Sequence, residues 1–136
     1  MMPWVHASIG AFVGGRVGKA GNAFSAGVVS HGVADLIPHR DYDVHVELPL
    51  AALTIAYVWW RHGISSPEML GALGGLSPDG ENMLHRFGFV QRMLFPTHTD
   101  HRWFIGHGRS VKSPASQIVI AALCLYAAHR MGAKRR

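Results

Sequence analysis

The chain has 136 residues, with 13 Lys and Arg against 8 Asp and Glu and a net charge of +5 when the histidines are neutral. That length holds one domain and one core, and a single cysteine excludes an intrachain disulfide and a cysteine-rich zinc site. Charged residues make up only 15% of the chain, against about 25% in soluble domains, which points to lipid or to an unusually apolar helical bundle.

Five apolar stretches run along the chain, at about 6–17, 22–37, 44–60, 67–76 and 114–129. The first lacks a basic lead-in, since Arg16 is the first cation, so no signal peptide is expected. The second carries His31, Asp35 and His39, with Pro38 expected to end or bend it. The third ends in Trp59-Trp60-Arg61, a pattern typical of a membrane interface. Ser66-Pro67-Glu68 opens the fourth with a cap, a first-turn proline and an acid at the positive helix end. Pro78 falls where that stretch should stop. Residues 80–112 have little apolar periodicity but are rich in histidine, and a segment of that length in a small domain is commonly functional. Ser113-Pro114 opens the last stretch, which contains Cys124 as a packed apolar residue and leads to Lys134-Arg135-Arg136. Strand alternation is weak everywhere. The expectation is an all-α fold over 1–136: a compact bundle of about five short helices, embedded in a membrane.

The sharpest local signal is His31-x3-Asp35-x3-His39. Residues four apart share one helix face, so His31 and Asp35 can hold one ion or act as ligand and orienting partner. A carboxylate in so apolar a stretch is costly unless it is engaged. His98 and His101, with Asp100 between them, add a second ligand cluster. Neutral imidazole and carboxylate are the usual nitrogen and oxygen donors to zinc and its neighbours.

If the stretches run alternately up and down, one end of the bundle collects His6, Asp35, His39, Asp79 and the whole 80–112 segment. Every acid except Glu68 then falls at that end. The opposite end holds Arg16, Lys19, Arg61, Arg130 and the basic tail. Basic residues close to helix ends favour the cytoplasmic side, so the expectation is an inner or plasma membrane protein whose His/Asp end faces outward. The basic residues are scattered and form no recognition module, so nucleic acid is not an expected partner.

Three pieces resemble a known family, the small membrane-bound metal-dependent hydrolases, which are distantly like the zinc-dependent phospholipase C group. Val5-His6-Ala7-Ser8-Ile9-Gly10 resembles its N-terminal histidine and small-residue helix. Gly27-Val28-Val29-Ser30-His31-Gly32-Val33-Ala34-Asp35 resembles its Ser-His-x3-Asp helix. Leu76-Ser77-Pro78-Asp79 resembles its Leu-Pro-Asp turn, and Thr97-His98-Thr99-Asp100-His101-Arg102 echoes its His-Arg-Gly-x-Thr-His. The resemblance implies an all-helical fold and divalent-metal ligation by His6, His31, Asp35 and Asp79.

Together these readings lead to a metal-dependent hydrolase that activates water with a divalent metal, zinc by its donor set, on a phosphodiester or lipid-type substrate at the membrane. The candidate metal ligands are His6, His31, His39, His98, His101 and the carboxylates of Asp35 and Asp79. Asp79 or Asp35 can serve as general base if it is not a ligand, and Arg102 or Arg109 can clamp a phosphate. The competing expectations are a non-catalytic metal-binding or transport protein, and a small structural membrane protein with incidental histidines.

Overall fold

A computed structural model describes residues 1–95 and 110–133. Among these the chain forms α1 (Pro3–Val17), α2 (Ala20–Ala34), α3 (Val44–His62), α4 (Pro67–Arg86) and α5 (Ala115–Ala133). Local sequence sets the boundaries. Pro3 and Pro67 occupy first turns, where a missing N–H costs nothing. Asp43 caps α3 by accepting from the His45 N–H at 2.9 Å, and Ser66 caps α4 by accepting from the Met69 N–H at 3.0 Å. Gly18, at φ 71°, closes α1 in the left-handed conformation that suits glycine.

The fourth helix corrects the expectation that Pro78 ends it, because α4 runs through Pro78 to Arg86 and takes up the start of the 80–112 segment. A helical proline leaves the carbonyl four residues back without its donor. Here that carbonyl belongs to Gly74, and the Ser77 hydroxyl donates to it at 2.8 Å.

α1 is the central element and packs on all four others, while α4 also lies along α2. Glycines allow the close approach. A Cβ on Gly10 would run into the Gly71 carbonyl oxygen, and one on Gly27 would meet that same oxygen. The buried apolar side chains are mostly small or flexible: Ala7, Ala11, Ala72 and Ala128 with Val58 and Met69 in one cluster, and Met1, Met2, Val5, Ala34 and Ala121 in another.

The helices alternate in direction. At one end Gln117, which opens α5, receives the Met2 N–H at 3.2 Å and donates to the Arg40 carbonyl at 2.8 Å. A single bridge joins His39 to Ser110 at the same end. At the other end Gly15 faces Glu68 and Met131, and Arg61 donates to the His129 carbonyl at 3.2 Å. The up-and-down path read from the sequence is therefore the path of the chain. Among the described residues no helix is long and apolar enough to cross a membrane, so no spanning element supports the expected embedding.

Candidate metal centre

Three helices converge on one buried cluster. α1 supplies His6 near its start, α2 supplies His31 from its last turn with Asp35 at its C-cap, and α4 supplies Asp79 immediately after Pro78. His6 and His31 are 0% exposed and Asp35 2%, while Asp79 reaches the surface at 14%. One ligand atom from each of His6, His31 and Asp79 lies within 4.8 Å of the others.

Asp35 is the hub. One oxygen, Oδ1, is 2.9 Å from His6 Nε2, and the other, Oδ2, is 3.2 Å from His31 Nε2. The Met1 amine lies 2.8 Å from Oδ1 as well. Burial alone would raise the Asp35 carboxyl, but the contacts from His31 and His6 outweigh it and hold the group well below the usual carboxylate range. The carboxylate is therefore ionised at neutral pH.

The two imidazoles stack with centroids 3.7 Å apart and planes 22° apart, yet their states differ. Burial drives the His6 pKa down to about 4, with the facing carboxylates only partly offsetting it and His31 lowering it further. His6 is thus neutral at pH 7. Neither of its ring nitrogens makes a well-aligned hydrogen bond among the described residues, despite the short approach of Nε2 to Asp35. Burial also pulls His31 down, but Asp35 and the Asp79 charge overcome it and raise the pKa.

The His31 tautomer follows from its partners. Nδ1 lies 2.8 Å from the Gly75 carbonyl, which can only accept, so Nδ1 carries a hydrogen. Nε2 then faces Asp35 Oδ2 at 3.2 Å and Asp79 Oδ1 at 3.9 Å. A bare lone pair there would oppose two carboxylates. A cation has to stand between them: a proton in the metal-free protein, or a metal ion.

Among the sequence candidates, the fold brings together His6, His31, Asp35 and Asp79. His39 is buried at the same end but pairs elsewhere, with Nδ1 2.8 Å from the Ile37 carbonyl and Nε2 3.6 Å from Asp41. His98, His101 and Arg102, with Asp100 and Arg109, lie outside the described residues. Two contributors were not singled out from sequence. The Gly75 carbonyl carries no side-chain signal at all. Gln117, fully buried, did carry one, as a polar residue inside an apolar run. Comparison with known proteins finds no matching family model, no matching curated protein and no matching solved structure.

Proposed function

We propose that this chain is a metal-dependent hydrolase whose divalent ion, zinc by the donor set, is held by His6, His31 and Asp79. The observation that carries the reading is His31: its Nδ1–H is committed to Gly75, and its Nε2 is aimed at two carboxylates. A backbone carbonyl on the far nitrogen is the usual way a protein orients a metal-binding imidazole. Nδ1 of neutral His6, buried with no hydrogen-bond partner among the described residues, gives a second reason. Asp35 faces His6 Nε2 at 2.9 Å and orients that ring, while His31, with Nε2 given to the ion, is oriented by Gly75. Three protein donors leave a fourth position of a tetrahedral site open, as catalytic zinc sites require. Such an ion supplies water activation near neutral pH and polarises a phosphoryl or acyl oxygen.

Asp79, the only member of the cluster with appreciable exposure, marks the side from which substrate approaches. Arg102 keeps its role as phosphate clamp within the proposal. A phosphodiester is the substrate class, and a membrane is its setting. Support for lipid contact comes from the distribution of side chains. Val29, Val33, Leu53, Ile118, Val119 and Leu123 are each half exposed or more, while His6, His31 and Glu68 are buried. Soluble domains seldom expose so much large apolar surface while burying polar groups.

The burial of His6, His31 and Asp35 also favours a second reading, a closed metal centre without turnover. Hydrolysis of bis-p-nitrophenyl phosphate by the metal-loaded protein separates the two. Activity that follows metal content and is lost in Asp79→Ala supports the hydrolase, whereas stoichiometric metal with no turnover supports the closed centre.

A further inference from the structure

We propose that residues 84–95 form a lobe that docks this protein on an anionic lipid bilayer beside the metal centre. This deepens the reading above, because it makes the phosphodiester substrate a membrane lipid. Three observations carry it.

The first is a built turn. α4 ends with the Gly88 N–H donating to His85 O at 3.0 Å and the Phe89 N–H to Leu84 O at 3.0 Å, with Gly88 at φ 78°. This helix stop usually lets the residue after the glycine pack back on the helix. Here it does not: Phe87 is 67% exposed and Phe89 77%, on either side of the glycine, and Leu94 is 85% exposed. Aromatic rings held outward by a fixed turn suit the membrane interface, which takes up an apolar body within a polar boundary.

The second is charge. Arg86 and Arg92 are exposed on the same lobe, as is His85, and residues 84–95 contain no acid. The nearest carboxylate in the sequence, Glu81, is occupied internally, accepting the Leu94 N–H at 2.6 Å and the Phe95 N–H at 2.8 Å. The lobe therefore presents arginine and aromatic side chains without an opposing charge, which complements anionic headgroups. The third is position. Those two Glu81 bonds fold the lobe back on α4 two residues after Asp79. A docked lobe brings a headgroup phosphate to the exposed side of the metal centre.

The test is cosedimentation of the full chain with vesicles of phosphatidylcholine alone and of phosphatidylcholine with phosphatidylglycerol. Metal content is measured on the same preparations. The wild type is expected to prefer the anionic vesicles and to lose that preference as salt rises. Phe87→Ser with Phe89→Ser should weaken binding at least about tenfold. Arg86→Gln with Arg92→Gln should weaken it by roughly fivefold per arginine on anionic vesicles only. Binding unchanged in both variants overturns the proposal. So does binding lost in a Trp59→Ala, Trp60→Ala variant but not in the lobe variants, or displacement of vesicles by a single-stranded oligonucleotide. A chain without metal that still binds through the lobe defeats the hydrolase reading alone. A metal-loaded chain that ignores anionic vesicles defeats the docking alone.

Discussion

Asp35 joins the two histidines of the centre, so its substitution separates orientation from ligation. Asp35→Asn keeps the size and removes the charge that faces both imidazoles. Metal affinity should fall about 10–100-fold, the scale of losing an orienting partner, while His31→Ala should abolish binding in a titration with Zn²⁺. His6 gives a pH signature in the metal-free protein. Its pKa falls from 6.5 when unfolded to about 4 when folded, so between those values the unfolded chain binds the extra proton. Stability therefore falls as pH drops from about 6.5 to 4, by about 3 kcal/mol in all. His31 has a raised pKa and Asp35 a lowered one, so their losses lie above and below this window. Urea melts at pH 7 and pH 4.5 check it, and equal stabilities would contradict the burial of a neutral His6. At this scale the sequence disclosed the pair at i and i+4, because helix geometry alone places His31 by Asp35. It could not disclose the Gly75 carbonyl on Nδ1, since a backbone acceptor has no residue type.

Helix packing depends on glycine at the α1–α4 and α2–α4 crossings. Gly71→Ala would drive a Cβ into the Gly10 carbonyl, and the helices must separate, at a cost of about 3 kcal/mol. Gly80→Ala meets no neighbour within 4 Å and should raise stability by about 0.5–1 kcal/mol through helix propensity. Thermal melts of the two variants should shift in opposite directions; parallel shifts would defeat the close-crossing account. Gly10, Gly27 and Gly71 permit these crossings, and as residue types they stand in the sequence, although which of them face one another does not. Pro78 was misread because its cost was counted without Ser77, whose hydroxyl supplies the donor that proline lacks. That one exchange lets α4 continue two turns further and holds Asp79 on a helix rather than in a loop.

For the molecule as a whole, the alternation of five helices gathers His6, His31, Asp35, His39 and Asp79 at one end, as the alternating path assumed from the sequence had implied. What the sequence hid was which residues face inward. The apolar count could not reveal that α2 and α5 turn Val33 and Leu123 outward at 60% and 63% exposure while His6, His31 and Glu68 are buried. The proposed lipid contact predicts recovery in the membrane fraction of lysed cells at low salt, and recovery wholly in the soluble fraction would contradict it. The most direct test of the central claim is elemental analysis of the protein purified without a histidine tag, alongside His31→Ala, Asp79→Ala. The account predicts one divalent ion per chain in the wild type and none in the double variant. Metal absent from the wild type after incubation with Zn²⁺, or retained in full by the variant, would contradict it.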